Sequence, residues 1–176
     1  RFRAELPDSS DFLSVWPSPS GQSLVLSVSD YVEIVDLAVG KMPIGSSTDQ
    51  DRELVCDGWG HAHYVGYWTG TEVIFHHIES SRETRLEWLG FFPFDWRSSP
   101  DGKVLGVPGL VKRSGKRCYH FRVYHTDTWQ PISLQVPEGY SPTSVGFSVD
   151  SRYMSITNGD APDERYGVLV FDLASG

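Results

Sequence analysis

One nine-residue segment occurs twice in this chain, and that repeat restricts the fold more than any other feature. Residues 32–40 read Val-Glu-Ile-Val-Asp-Leu-Ala-Val-Gly, and residues 168–176 read Val-Leu-Val-Phe-Asp-Leu-Ala-Ser-Gly. Each copy follows a turn of small residues and a short apolar run; the two turns are residues 18–21 and 148–151. A repeated strand-and-turn unit of this kind indicates that the chain stacks several copies of one supersecondary structure.

The composition and the spacing of the apolar residues predict an all-β chain. Aromatic residues make up 13% of the 176 positions, and 17 Gly and 11 Pro supply turns. This combination favours strands over helices, and no segment shows the apolar period of a helix over a useful length. The predicted turns are centred near residues 19, 70, 100 and 150, about 44 residues apart on average. This is close to the size of a four-stranded propeller blade, roughly 40–45 residues.

We therefore predict an all-β, propeller-like array of about four blades, forming a single domain over residues 1–176. The predicted blades are residues 12–44, 61–90, 91–137 and 143–176, with residues 1–6 added to the last. Residues 6–28 match residues 136–158 without a gap, which identifies residues 1–6 as an outermost strand. Pairing of that strand with residues 168–173 would close a ring and protect two strand edges. The alternatives are half of a larger propeller, or a half that completes itself as a homodimer.

Less regular parts of the sequence carry separate predictions. Residues 45–57 are polar and acidic and predict a long loop. Residues 130–136 alternate apolar and polar side chains and predict an outermost fourth strand of the third blade. The chain starts at Arg1 rather than Met, which indicates processing, trimming or excision from a longer protein. Its two cysteines, Cys56 and Cys118, are expected to be unpaired thiols.

A family resemblance is carried by Ser99-Pro100-Asp101-Gly102 before an apolar run, and by residues 168–173 before a small-Gly turn. Weaker copies lie at residues 18–21, 32–40 and 147–151, and the copy in residues 45–90 is poor. The chain resembles the WD-repeat and TolB-like β-propeller superfamily. The Trp-Asp dipeptide of strict WD repeats is missing; Val35-Asp36 and Phe171-Asp172 stand where it would fall, so the likeness is closer to the TolB-like type. The resemblance implies a propeller architecture and a binding scaffold, but no particular activity.

Charge and motifs argue against several classes of function. The formal net charge is −8, which argues against nucleic acid or an anionic membrane surface as the main partner, since phosphate groups are bound by Lys and Arg. No apolar run approaches the roughly 18 residues of a membrane span, and the start shows no secretory signal pattern. The sequence has no Gly-x-Ser-x-Gly elbow, Gly-rich phosphate loop or His-Glu-x-x-His motif. We therefore expect a non-enzymatic module without a cofactor that binds a protein or peptide. The alternatives are an accessory propeller of a larger hydrolase or peptidase, and a small metal- or glycan-binding propeller.

The inter-blade connections, together with the loops between second and third strands, line one face of a propeller, and we expect the partner to bind there. The residues predicted for this face are aromatic or charged: Trp59, His61, Phe91, Tyr140, Lys112, Arg113, Lys116, Arg117, Asp160 and Asp163. The basic residues flank Ser114-Gly115, which is a hairpin signal. They form either a solvated turn or a site that recognises an acidic partner. Trp16, Trp68, Trp96 and Phe147 precede predicted turns and are expected in the core between blades.

Four histidines suggest a metal site. His61 and His63 are two positions apart, so a strand would place both on one face, and neutral imidazole suits zinc. A zinc site needs three or four converging ligands, and no Cys or carboxylate is spaced to complete this one. We therefore expect no metal, with His61, His63, His76 and His77 at a blade surface or in an entry loop.

Overall fold

The structure of the chain is a computed structural model. It describes residues 12–28, 31–38, 40–46, 53–56, 63–68, 71–80, 82–87, 91–93, 96–113, 116–137, 140–159 and 167–174. The regular secondary structure in these ranges consists of β-strands. Within them, no helix has the length and apolar character needed to cross a membrane.

The described part of the chain forms fifteen strands, numbered in chain order. They are β1 (Phe12–Pro17), β2 (Ser23–Val28), β3 (Tyr31–Asp36), β4 (Gly40–Ser46), β5 (Glu53–Cys56), β6 (Tyr64–Trp68), β7 (Glu72–His77), β8 (Glu83–Glu87), β9 (Phe91–Pro93), β10 (Arg97–Ser98), β11 (Val104–Arg113), β12 (Lys116–His125), β13 (Pro142–Phe147), β14 (Tyr153–Asn158) and β15 (Val168–Asp172). Four sheets result, with the orders β1-β2-β3-β4, β5-β6-β7-β8, β10-β11-β12 and β13-β14-β15. β9 pairs with β11 further along the edge that β10 occupies, so the third sheet also contains four strands. The all-β prediction is confirmed, and small sheets of this kind are the blades of propeller-like folds.

The chain divides into two compact units. The first, Arg1–Leu86, holds the sheets of β1–β4 and β5–β8, and the second, Glu87–Gly176, holds the other two. One core cluster of the first unit is formed by aliphatic side chains from both its sheets: Val25, Ile34, Val65 and Ile78. Trp16, half-buried, packs against this cluster as predicted. Full burial of such an aliphatic side chain stabilises a fold by about 1.5–3 kcal/mol.

The core of the second unit lies between its two sheets. One cluster there contains Val104, Val123, Val145, Met154 and Ile156, with Phe147 among the partly buried side chains packed against it. Trp96 is also fully buried, so the core positions predicted for these two aromatics are confirmed; the side chain of Trp68 lies outside the described part. The sheets approach closely at Gly106, where an added Cβ would lie 2.8 Å from Val145 Cγ2. Only glycine therefore fits this contact without a shift of its neighbours.

The turns after β1, β10 and β13 share one hydrogen-bond network. After β10, the Ser99 N–H donates to the Val104 carbonyl at 2.8 Å, and Ser99 Oγ accepts the Val104 N–H at 3.0 Å. Ser99 Oγ donates to Asp101 Oδ1 at 2.6 Å, and this carboxylate accepts the Lys103 N–H at 3.1 Å. The same bonds recur after β1 and β13, with a serine hydroxyl in place of the carboxylate in the first case. The three turns predicted at residues 18–21, 99–102 and 148–151 therefore share the same hydrogen-bonded structure.

The fourth residue of each of these turns has a left-handed backbone. Its φ is 70° at Gly21, 71° at Gly102 and 59° at Ser151. Glycine adopts this conformation without a steric penalty, whereas other residues adopt it only at some cost. The network of the last turn therefore holds Ser151 in a conformation that its sister turns give to glycine.

The second sheet differs from the prediction in where it begins. Its first strand is β5, so the sheet starts at Glu53 and not at residue 61, and part of the loop predicted for residues 45–57 is a strand. Thr69-Gly70-Thr71 joins β6 to β7, the second and third strands of the sheet. The other predicted turns join the first strand to the second. The placement of a repeat turn near residue 70 was therefore wrong.

Backbone hydrogen bonds establish the true period of the repeat. The N–H after the third strand of each sheet donates to the carbonyl just before the second strand, and the acceptors are Gln22, His63, Lys103 and Arg152. These four equivalent residues lie 41, 40 and 49 positions apart. The connection between β5 and β6 therefore stands where the other sheets have their Ser-containing turn.

The third sheet lacks the regular fourth strand predicted for residues 130–136. Only Pro131 forms a bridge, to Tyr124, and the Ile132 N–H donates to Val123 O at 2.8 Å. Ile132, Leu134 and Val136 nevertheless pack against the core. The segment therefore begins at the predicted place beside β12 and buries its apolar side chains, but it makes few ladder bonds.

β15 is the edge strand of the last sheet within the described residues, and its Val168 and Val170 are 58% and 63% exposed. The predicted partner of this edge, residues 1–6, lies outside the described residues. Pairing of the two segments, closure of a ring and the homodimer alternative therefore stay predictions.

Candidate interaction face

The two ends of each sheet have different characters. The turn end carries the hydrogen-bonded turns after β1, β10 and β13 described above. The loop end is the opposite one, from which the connections β2–β3, β6–β7, β11–β12 and β14–β15 leave. In the second unit, the Asp101 N–H donates to Ser151 Oγ at 3.0 Å, so the turn ends of its two sheets are adjacent. Those predicted binding residues of this unit that the structure describes belong to the loop end.

Four predicted residues come together at the tip of one hairpin. β11 and β12 form a continuous antiparallel ladder in which Lys112 is opposite Arg117 and Arg113 is opposite Lys116. Only two residues join the strands, so the predicted hairpin is confirmed. We call these four residues the basic tip. β11 is buried from Val104 to residue 109 and half-buried in its next two positions. Lys112 and Arg113 therefore directly follow a strand that is anchored in the core.

Phe91 lies beside this tip. In the β9–β11 ladder it is the partner of Val111, the residue next to Lys112. β9 and β12 therefore flank β11 on both sides close to the basic tip. On the side of β11 that faces β9 and β10, the pairing is interrupted around Pro108, between the segments that pair with β10 and with β9. A residue without an N–H is tolerated at such a gap.

Tyr140 is fixed to its own chain. Its hydroxyl lies 2.8 Å from Ile156 O and 2.8 Å from Gly167 O, to which it donates, and its ring packs against the core of the second unit. Burial raises the pKa of the Tyr140 phenol, against the smaller opposite effect of hydrogen bonds with the backbone. The predicted role of Tyr140 as a ligand anchor is untested, but the structure gives its hydroxyl an internal function. It holds both ends of the β14–β15 connection together.

The remaining predicted residues are not all placed. Trp59, His61, Asp160 and Asp163 lie outside the described residues. The structure thus gives Phe91 a ladder position beside the basic tip, and it places Tyr140 two residues before β13 of the neighbouring sheet.

The histidines are less exposed than predicted. His63 is 8% exposed, just before β6, and its ring centroid lies 6.5 Å from that of His77. His76 Nε2 lies 3.6 Å from Glu83 Oε2. Within the described ranges, no group of three or more His, Cys, Asp or Glu side chains is placed to hold a metal ion. His61, the other weak metal candidate, is outside them.

Sequence reasoning missed one residue with a specific polar role. His77 Nδ1 accepts the Ser80 N–H at 3.1 Å and lies 3.0 Å from Ser80 Oγ. Asp36 and Asp172 close the third strands of the first and last sheets, and their carboxylates accept the N–H of Ala38 and Ala174. With the repeat in the correct phase, His77 occupies the position of these two aspartates. That alignment was the signal available in the sequence.

Comparison with known proteins was made by family profile, by sequence and by structure. No family profile and no curated protein matches the chain. Hydrazine synthase from Kuenenia stuttgartiensis matches with a TM-score of 0.56 and 19% identity, over 92% of this chain and 46% of that one. The tricorn protease matches with a TM-score of 0.55 and 12% identity, over 84% of this chain and 15% of that one. The chain therefore spans less than half the length of either.

At these identities the likeness concerns the fold alone. The neighbours include propeller-type proteins, and the chain consists of small antiparallel sheets that repeat about every 40–50 residues. Together these findings define an all-β, propeller-like protein. The finer assignment to the WD-repeat or TolB-like type stays a prediction.

Proposed function

We propose that the chain is a non-enzymatic binding module of the propeller type, whose partner is a protein or peptide with an acidic segment. The observation that supports this is the basic tip, which places four cations on two consecutive ladder pairs in a chain of net charge −8. Like charges directly opposite each other destabilise a ladder. Fold stability therefore does not account for this grouping, whereas a partner of opposite charge does.

The shape of the hairpin supports the same function. β11 and β12 have ten residues each, while the other described strands have two to seven. The apolar part of the hairpin is anchored in the core, and Phe91 lies in the ladder position next to the cations. An acidic partner would use the charges for rapid and oriented association and the aromatic ring for apolar contact.

The proposal is tested with a fluorescently labelled peptide rich in Glu and Tyr, whose binding is followed by fluorescence anisotropy. Replacing Lys112, Arg113, Lys116 and Arg117 together by Ser should weaken binding about tenfold or more, because exposed charge pairs contribute about 0.2–1 kcal/mol each. The loss should fall mainly on the association rate, and binding to the unmodified chain should weaken with salt.

Lys103→Ser is the matched control for the binding test. Its side chain is 69% exposed at the turn end of the same sheet, so its removal should leave the affinity unchanged. Equal binding by the fourfold variant and the unmodified chain, or no binding by the unmodified chain, would refute the proposal.

An accessory domain of a larger enzyme is a second candidate. It is favoured by the names of the two solved structures, a synthase and a protease, of which the chain covers 46% and 15%. The sequence of the full-length gene product tests it: a flanking catalytic motif such as Gly-x-Ser-x-Gly would support this function, and flanking sequence without an enzyme domain would contradict it. Within the described ranges, no group of three or more possible ligands supports the metal-binding alternative; glycan binding stays a prediction.

A further inference from the structure

In the turn between β7 and β8, which a backbone bond from the His77 N–H to Arg82 O also closes at 2.9 Å, the Ser80 N–H is accepted by one imidazole nitrogen. The Ser80 N–H donates to His77 Nδ1 at 3.1 Å, so Nδ1 carries no proton and the proton of the neutral ring lies on Nε2. Acid adds the second proton at Nδ1. That atom would then present a hydrogen to the Ser80 N–H instead of accepting one.

The same turn connects the two sheets of the first unit. Glu79, two residues after His77, accepts the Ser20 N–H at 3.0 Å through its Oε1 atom. Ser20 belongs to the turn after β1. Glu79 therefore makes this contact between the turn ends of the first and second sheets from a position between His77 and Ser80.

We propose that His77 makes this contact acid-sensitive: protonation of Nδ1 removes the acceptor of the Ser80 N–H and releases the turn together with the Glu79–Ser20 hydrogen bond. The sister positions hold Asp36 and Asp172, which accept the Ala38 and Ala174 N–H at 2.7 and 3.0 Å. A carboxylate remains an acceptor at the mildly acidic pH at which an imidazole gains its proton. The second sheet therefore has a titratable acceptor where two others have a permanent one.

The charged and titratable groups around His77 set the direction of the effect. His63 precedes β6, Tyr64 lies opposite His77 in the ladder with ring centroids 5.1 Å apart, and Glu79 and Arg82 belong to the turn itself. Burial, followed by the charge of His63, lowers the pKa of His77 below its ordinary value of 6.5; Glu79 acts in the opposite direction and Arg82 in the same one.

A lowered pKa means that the folded chain binds this proton less readily than the unfolded chain does. The stability contributed by neutral His77 is therefore fully present above about pH 6.5 and is lost as the pH falls below that value towards the lower pKa of the folded state. Loss of this one hydrogen bond should raise the unfolding equilibrium constant about fivefold.

Amide exchange of the whole chain, measured by NMR from about pH 7.5 to about pH 5, tests the proposal in the unmodified protein. Protection factors of the Ser80 and Ser20 amides should fall over the pH range in which the His77 ring titrates. Those of Ala38 and Ala174 should not, because their acceptors are aspartates. Protection of Ser80 that persists while His77 titrates would overturn the proposal.

His77→Asn is the matched variant, since its side-chain oxygen can accept the Ser80 N–H without titrating. Urea unfolding of this variant should lose the part of the pH dependence that lies between about pH 7 and about pH 5. A variant that keeps the pH profile of the unmodified chain would count against the proposal as clearly as persistent Ser80 protection.

Discussion

The backbone N–H of Asp101 donates to the side chain of Ser151, 3.0 Å away in the equivalent turn of the next sheet. In the first unit, the N–H of Ser20, which stands at the same turn position as Asp101, donates to Glu79. In both units, therefore, the third residue of a repeated turn connects neighbouring sheets at their turn ends. The connection uses a backbone donor, so it does not depend on the side chain at that turn position.

Ser99→Ala should destabilise the chain by about 1–3 kcal/mol, because it removes the acceptor of the buried Val104 N–H. Ser99 is fully buried, whereas its counterpart Ser148 is only half-buried. Ser148→Ala should therefore cost less, about 0.5–1.5 kcal/mol. Urea unfolding followed by tryptophan fluorescence measures both. An equal cost would mean that the burial of the turn is irrelevant.

Gly106→Ala should cost about 1–3 kcal/mol, because the new methyl group meets Val145 on the neighbouring sheet and the ring of Phe121 at 3.3 Å. Gly167→Ala is the control: a Cβ there has no neighbour within 4 Å, so stability should change by no more than about 0.5 kcal/mol. Thermal unfolding of the two variants checks the difference. Similar stabilities would contradict the close contact between β11 and β13.

Tyr140→Phe should cost about 1 kcal/mol through loss of the hydroxyl that bonds to Ile156 and Gly167. The effect should be local, with faster amide exchange around the β14–β15 connection. If Tyr140 also contacts the partner only through its ring, affinity for the acidic peptide should be unchanged in this variant. A variant of normal stability would remove the internal function assigned to the hydroxyl.

Stability should decline below about pH 4, in part through Asp101. Burial alone raises the pKa of this carboxyl, but hydrogen bonds from Ser99 and Lys103 and the charge of Lys103 outweigh it, so the pKa lies below its ordinary value of 3.8. The ionised form therefore stabilises the fold above that value, and this contribution is lost as the pH falls through the lower pKa of the folded state. Asp101→Asn should flatten the acid limb of the stability profile; an unchanged slope would contradict this origin.

The fold was predictable where the repeated residues are the ones whose side chains and backbone form the turn. Ser99, Asp101 and Gly102 each have a fixed task in the network, as hydroxyl, acceptor and left-handed residue. A sequence that keeps those chemical groups therefore marks the turn directly. The class of fold followed from the spacing of such turns.

The second sheet was misplaced because its equivalent turn, between β5 and β6, lacks this signature. The sequence Thr69-Gly70-Thr71 resembles a turn but lies between the second and third strands of the sheet. The backbone hydrogen bond from the Ile78 N–H to the His63 carbonyl shows which residues are equivalent to those of the other sheets. Residues 132–136 illustrate another limit. Alternating apolar side chains indicate which face is buried, but they do not require the backbone to form a ladder.

Part of the candidate site was predictable because local residues specify its turn. The basic tip follows from local chemistry, since Ser-Gly between two alternating segments indicates a hairpin. Phe91 and Val111 are neighbours because two segments that are distant in the sequence pair with each other. Composition does not reveal such pairing. The role of His77 as a hydrogen-bond acceptor in its turn could be predicted only after the four repeats had been aligned correctly.

The shared turn network has a consequence for protein engineering. Its bonds lie at one end of the sheets, so changes at the opposite end, between β11 and β12, leave those bonds in place. Foreign peptide sequences grafted between Arg113 and Lys116 should be displayed on an intact scaffold, and the same freedom would let natural variants diversify what they recognise while the architecture stays constant.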